Sequence, residues 1–529
     1  MSQTGVAAPD VGAPATVDWV KLFLGFGAMV VGQFMAVLDI QIVASSLPQI
    51  QAGIGASADE VSWIQTSYLV AEVVMIPLST YLSRIWGTQK VYMASCFGFV
   101  VMSVATGLAS NIETMIVMRA LQGFVGGAMI PTVFAVAFTA FPPEKRMLSS
   151  VIMGMIITLA PTVGPVLGGH LTEWLNWRWL FFINVPPGLL VLFLVSRYGD
   201  FDKGDRSLTK GFDWIGLAFM GVFLMATQFV LEEGARKNWF EDDLILLLAV
   251  TGAVCGAIFV WRSLSYKQPI VELRAFKNLN FSVGIVMTFV TGICLFGGTY
   301  MLPLFFGRIR GFSSGEVGTT MVVCGLAMFL TGPILGRWVR LMDPRYPLAF
   351  GFICAGYGFW LGHAVTPQWG YWELASLQAF RGSGIMIAMI ASQNVTMATL
   401  PPELIKTASG LVNLSRNVGG AMGLAVLTTV LSTSTKLHMN ELSSRMSVAS
   451  QKGQEMLSGM AMKMTEIGVS DPAAASRKVL QSLLMRDAAT LAYGDAFTAL
   501  ALCCFFAAFG ALFVQPAPNL YSAQPVEDH

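Results

Sequence analysis

The sequence predicts an all-α polytopic membrane protein of about 14 transmembrane helices, built as two six-helix halves with a helix pair inserted between them. Three observations predict it. The 529-residue chain is 55% hydrophobic and only 12% charged, where a soluble domain carries about 25% charged residues. Its apolar residues gather into about fourteen segments near the roughly 20 residues that a helix needs to cross a bilayer. Three short patterns also recur at nearly one offset. Pro77-x6-Arg84 returns as Pro333-x6-Arg340, Arg119-Ala120-Leu121-Gln122-Gly123 as Gln378-Ala379-Phe380-Arg381-Gly382, and Val163-Gly164-Pro165 as Val418-Gly419-Gly420. Repeats of this kind mark duplicated transporter halves, with a binding site expected near the midplane between them.

In chain order, residues 1–20 are a polar N-terminal tail without the basic start of a signal peptide. Segments 21–46, 61–82, 90–109, 114–139, 147–169 and 178–198 form the first half, 21–198. Segments 212–232 and 243–263 are the inserted pair, within 199–278. Segments 281–306, 315–338, 346–364, 373–398, 407–432 and 492–514 form the second half, 279–514, and 515–529 is the C-terminal tail.

Two stretches break this regular pattern. The fifth segment carries Pro161, Gly164, Pro165, Gly168 and Gly169. The glycines leave a smooth face that a neighbouring helix can approach closely, and the prolines remove backbone donors and bend the helix. The expectation is close packing against a helix of the other half; the plainer alternative is a static small-residue packing face. The second stretch is the loop 433–491, far longer than a typical connection of about 4–6 residues. Met456, Met460 and Met464 form one helical stripe, and Val479, Leu480, Leu483 and Leu484 a second. Two short amphipathic helices are expected there, resting on the transporter or the headgroups or forming a Met-rich docking surface.

Charge sets the orientation. With both termini cytoplasmic, the tail and the cytoplasmic loops hold 17 Lys and Arg. The short external loops then hold five: Arg178, Arg236, Lys237, Arg308 and Arg310. The positive-inside rule favours that arrangement and makes 433–491 external. A formal net charge of +1 gives no electrostatic case for nucleic acid. The seven cysteines lie in apolar segments without metal-ligand spacing, so no zinc site or disulfide framework is expected. No nucleophile–base constellation suggests an enzyme.

A buried ionisable group costs at least ~2.5–3.5 kcal/mol at a helix centre, so each needs a partner or a function. Asp39, Glu72 and Arg119 fall in the first, second and fourth segments. They are candidates for proton coupling, since a carboxylate near a guanidinium titrates as its surroundings change. The alternative is a permanent Asp39–Arg119 pair that fixes helix register. Gln65, Tyr68 and Glu72 share one helix face, and Gln122 shares a face with Arg119. Gln65, Tyr68 and Gln122 are the candidate substrate pocket. Arg381, Asn413, Arg416 and Asn417 are assigned structural roles inside the second half.

The motifs together resemble a known family. Leu38-Asp39-Ile40-Gln41-Ile42-Val43 with Leu47-Pro48 resembles the first-helix motif of the fourteen-helix drug:proton antiporters of the major facilitator superfamily. Arg119-x-x-Gln122-Gly123-x-x-Gly126-Gly127 resembles their fourth-helix motif, and Ala160-Pro161-x-x-Gly164-Pro165-x-x-Gly168-Gly169 their fifth-helix antiporter motif. Residues 176–188, Asn-Trp-Arg-Trp-Leu-Phe-Phe-Ile-Asn-Val-Pro-Pro-Gly, and 212–216, Phe-Asp-Trp-Ile-Gly, are similar to two further family junctions. The likeness spans nearly the whole chain and points to the EmrB branch of the EmrB/QacA type. One departure stands out. The family loop after the second helix reads Gly-x-x-x-Asp-Arg-x-Gly, but here Arg84 stands at the acid and Ile85 at the Arg, so the usual cytoplasmic charge latch is missing.

The resemblance implies a major facilitator fold in the bacterial inner membrane and a secondary transporter without a cofactor. It implies proton-driven export of hydrophobic or amphipathic compounds by alternating access. It also implies a periplasmic, EmrA-like adaptor and an outer-membrane channel as partners. Two alternatives are an exporter of one metabolite, siderophore or lipid precursor, and a non-transporting sensor on a transporter fold.

Overall fold

A computed structural model of the chain describes residues 18–57, 60–312, 314–338, 342–445, 451–467 and 470–515. Among them the regular structure is helical. The first half comprises α1 (Trp19–Ser45), a short α2 (Leu47–Ile54), α3 (Trp63–Trp86), α4 (Thr88–Gly107), α5 (Ile112–Gly126), α6 (Met129–Thr139), α7 (Pro143–Trp174), α8 (Trp179–Phe182) and α9 (Val185–Tyr198). The inserted pair is α10 (Trp214–Glu233) and α11 (Asp243–Ser265). The second half comprises α12 (Leu279–Phe305), α13 (Ser314–Trp338), α14 (Arg345–Leu361), α15 (Tyr371–Ala398), α16 (Pro402–Arg445), α17 (Gln451–Glu466) and α18 (Pro472–Gly510).

Local chemistry sets many of the helix starts. Side chains of Asp18, Asn111, Asp213, Asp242, Asn278 and Asp471 accept from the first free backbone N–H groups of α1, α5, α10, α11, α12 and α18. These caps satisfy donors that the helix itself leaves unpaired. Twelve helical stretches among the described residues are long and apolar enough to cross a bilayer. The 32-residue α7 and the 17-residue α14 pack among them as the fifth and eleventh of a series of fourteen. Two predicted spans are broken. The fourth turns at Gly127 and Ala128 between α5 and α6, and the sixth turns at Ile183 and Asn184 before two prolines open α9.

Two buried apolar cores organise the packing. One gathers residues of α1 to α9 with part of the inserted pair, the start of α12, the end of α15 and the start of α16, and the other gathers residues of α12 to α16 and α18. Val151 of α7 belongs to the second core, where α7 packs on α13 of the other half.

The region 433–491 differs from expectation. The Met456–Met464 stripe does lie on a helix of its own, α17. The Val479–Leu484 stripe does not: it is the first part of α18, which begins twenty residues before the predicted span. Likewise α16 runs on to Arg445. Its 44 residues rise about 66 Å at ~1.5 Å each, twice the roughly 30 Å hydrocarbon core. Hydropathy marks where a helix leaves the membrane but not where it ends, because the backbone ladder continues in water.

The smooth face of α7 also has a different partner. A Cβ at Gly164 would lie 2.6 Å from Gln41 Cβ, and one at Gly168 would lie 2.8 Å from the Ser45 and Ser46 hydroxyls. The glycines thus admit α1 of the same half. Contact with the other half runs along the opposite side of α7, where Val166 fills the space left by Gly318 of α13 and Met155 approaches Gly332. The α-helix continues through Pro165, and the side chain of Pro161 lies outside the described residues.

Candidate functional site

The first half encloses a polar cluster centred on Asp39. Five elements meet there: α1 brings Asp39, α3 Tyr68, α4 Ser103 and Thr106, α5 Arg119 and Gln122, and the turn before α9 brings Asn184. The glycine after Gln122 explains how α5 comes so near α3, since a Cβ at Gly123 would collide with the Tyr68 carbonyl.

The carboxylate is fully engaged. Arg119 Nη1 donates to Asp39 Oδ2 at 2.6 Å, and Asn184 Nδ2 and Gln122 Nε2 donate to Oδ1 at 2.8 and 3.3 Å. Arg119 also donates through Nε to the Ile64 carbonyl at 3.2 Å and through Nη1 to Gln122 Oε1 at 2.9 Å. Its guanidinium lies 4.3 Å from the centre of the Tyr68 ring and 5.7 Å from that of Phe181, a cation–π sandwich. Ser103 links Asn184 to the carbonyl of Phe181. Neither Asp39 nor Arg119 has any exposed side-chain surface. A pair so desolvated is held by its hydrogen bonds, and removing either partner strands the other.

Tyr68 and Gln122 therefore belong to the charge cluster, where the sequence suggested a substrate pocket. Gln65 lies half-buried, with no side-chain hydrogen bond among the described residues. Glu72 is 3% exposed and forms no hydrogen bond or ion pair with another described residue. It does sit in the combined fields of Arg119, Asp39 and, from the second half, Arg416. Sequence reasoning missed Asn184. Its signal was present, as the Asn of the Ile-Asn-Val-Pro-Pro run, but nothing local says that this amide reaches Asp39, 145 residues away.

The second half holds two buried arginines. Arg381 occupies the place in its repeat that Gln122 holds in the other. It is buried against Phe359, with its Nη1 in the space left open by Gly298 and its Nε without a hydrogen-bond partner among the described residues. Neighbouring Gln378 donates to the Thr320 carbonyl at 2.6 Å. Arg416 Nη2 donates to Asn413 Oδ1 at 2.6 Å, and its guanidinium lies 5.3 Å from the ring centre of Phe134 on α6 of the first half. Its Nη1 is buried without a hydrogen-bond partner among the described residues. Asn417 is half-buried beside it. Arg416 thus faces the seam between the halves. No group of three or more His, Cys, Asp or Glu among the described residues is arranged to hold a metal ion.

Comparison with known proteins agrees with this architecture. The family model of the Major Facilitator Superfamily matches residues 29–424. The chain is 37% identical over 505 residues to the colistin resistance protein EmrB of Acinetobacter baumannii, covering 95% of this chain and 97% of that one. It is 30% identical to the fatty acid resistance protein FarB of Neisseria gonorrhoeae, over 80% of this chain and 82% of that one. It is 29% identical to the multidrug export protein EmrB of Escherichia coli, over 82% and 84%. Among solved structures, a bacterial homologue of the human lysosomal transporter Spinster superposes with a TM-score of 0.52 at 13% identity, over 93% of this chain and 98% of that one.

Proposed function

The chain belongs to the Major Facilitator Superfamily, as a secondary efflux transporter of the EmrB type, and on that premise we propose that it is a proton-coupled exporter of hydrophobic or amphipathic compounds. The observation that carries the coupling is the contrast between two of its buried acids, Asp39 and Glu72. Asp39 is locked by three donors, whereas Glu72 lies in a helix that packs on the other half and has no hydrogen-bond or ion-pair partner among the described residues. In this reading a proton changes the charge of these acids of the first half, and that change is felt by the Arg416 of the opposite half. Inward proton flow supplies about 2.3 kcal/mol per charge per 100 mV. The residues available to a substrate are those outside the Asp39 cluster: Gln65 and Glu72 with Arg416. A bacterial inner membrane and cytoplasmic termini complete the proposal, supported by the loop charges.

Amphipathic acids are a second cargo class. Arg416 and Arg381 each keep a buried, unpartnered nitrogen, and a relative 30% identical is named for fatty acid resistance. The long extensions of α16 and α18, with α17 packed on α18, support docking of a periplasmic adaptor in a tripartite pump with an outer-membrane channel.

The test is drug-driven proton release from proteoliposomes, run with cationic and carboxylate amphiphiles. Release by the unmodified protein, lost in Glu72→Gln, supports the reading. Flux that is independent of a pH gradient overturns it.

A further inference from the structure

The inserted pair makes contacts that its place between the halves does not require, and their pattern is regular. On the face where the chain enters α1, the linker before α10 is tied to the first half. Asp202 accepts from the Thr88 backbone N–H at 2.7 Å and from its hydroxyl at 3.0 Å, at the start of α4. The Asp205 N–H donates to the Arg84 carbonyl at 2.8 Å, and Tyr81 donates to the Leu208 carbonyl at 3.1 Å. A Cβ at Gly204 would strike the backbone of Ile85, Trp86 and Gly87, so this segment lies directly on the turn between α3 and α4. From that anchored position Asp202 also pairs with Lys406, near the start of α16 in the second half.

The opposite face repeats the arrangement. The outer end of α10 is anchored to α3, with the Thr66 hydroxyl donating to Glu233 at 3.1 Å, Arg236 donating to the Ser62 hydroxyl at 2.8 Å, and the Trp63 and Phe229 rings 5.2 Å apart. From there Trp239 Nε1 donates to the Thr429 hydroxyl of α16 at 3.0 Å. Leu231 packs with Ala421 and Ala425 of the same helix. Lys406 and Thr429 are 23 residues apart on one helix, or about 35 Å at ~1.5 Å per residue. That exceeds the roughly 30 Å hydrocarbon core, so the two ties sit at opposite faces of the membrane.

We infer that the inserted pair is a brace, fixed to the first half, that fastens α16 at both faces, through Asp202–Lys406 at one and Trp239–Thr429 at the other. Rocking of the halves opens one mouth at a time, so each direction of the cycle breaks one tie and keeps the other. The brace also puts an acid on the α3–α4 turn, where Arg84 and Ile85 replace the expected acid and base of that loop. Asp202 supplies the acid from a different segment. The inference does not depend on what is carried or on proton coupling.

The experiment uses the full-length transporter in nanodiscs with two spin-label pairs, Lys90 with Leu279 across the inner mouth and Glu113 with Trp372 across the outer one. Lys406→Gln removes one tie, and Thr429→Val removes the other while keeping side-chain shape. Lys406→Gln should raise the population with a wide inner mouth, and Thr429→Val the population with a wide outer mouth. Each shift should be roughly 2- to 10-fold, the worth of one hydrogen bond or pair. Lys406→Arg should restore the unmodified distribution. Unchanged distributions in both variants, or a shift in the same direction in both, would overturn the brace. A thermal unfolding scan of each variant separates a shifted equilibrium from a damaged fold, and a shift accompanied by a large loss of thermal stability also counts against it.

Discussion

Asp39 and Arg119 meet at 2.6 Å with neither side chain reaching solvent, although 80 residues separate them. Asn184 closes the other side of the carboxylate at 2.8 Å. The pair joins α1 to α5, and the amide joins both to α9, so the cluster pins three helices of the first half to one charge. Four predictions follow from this geometry and from the packing around it.

Asp39→Asn should abolish drug-driven proton release and lower the stability of the solubilised protein. The neutral amide leaves Arg119 buried without a counter-charge, a loss of about 3–5 kcal/mol for a broken buried pair. Arg119→Gln alone should be similarly damaging. The double variant Asp39→Asn with Arg119→Gln should recover thermal stability but not transport. Wild-type coupled transport in Asp39→Asn would remove Asp39 from the coupling scheme.

Asn184→Ala should cost about 1–3 kcal/mol, because it removes a donor to a buried carboxylate and to Ser103. Asn184→Asp should be worse than Asn184→Ala, since a second carboxylate would stand where the amide donates. Thermal melts of the two variants in one detergent rank them. The reverse order would show that Asn184 acts only as a space-filler.

Gly164→Leu and Gly168→Leu should abolish transport while the protein still inserts, by forcing α7 away from α1. Gly168→Ala is the finer probe: its Cβ would crowd the Ser45 and Ser46 hydroxyls at 2.8 Å, costing about 1–3 kcal/mol for overpacking. Ser45→Ala together with Ser46→Ala should recover part of that loss. No recovery would place the strain elsewhere.

Replacing 446–470 with a short Gly/Ser linker should remove α17 while sparing His438 and Asp495, whose side chains meet at 2.8 Å between α16 and α18. Drug binding by the solubilised transporter should persist, and co-purification of a periplasmic adaptor should be lost. An adaptor that still co-purifies would show that α17 belongs to the transporter's own outer cap.

The apolar helical spans and the burial of Asp39, Glu72, Arg119, Arg381 and Arg416 were legible in the sequence, because each depends on local composition. About 20 apolar residues make a span wherever they occur, and an acid among them must be paired or functional. The identities of the partners were not legible in the same way. The Gly164–Gly168 face announces a close neighbour, but α1 and α13 both lie beside α7, and only the packed structure decides that the glycines admit α1. Helical periodicity placed Tyr68 and Gln122 on faces with Glu72 and Arg119, yet it could not say that Arg119 would draw both into the Asp39 cluster. The Val479–Leu484 stripe reads as a separate helix because polarity changes there, whereas backbone hydrogen bonding carries α18 through unbroken. Asn184 and the ties from Asp202 and Trp239 to α16 join residues 145, 204 and 190 positions apart. Such pairings depend on how the helices are arranged around one another, and that arrangement is set by the shape of every contact surface together.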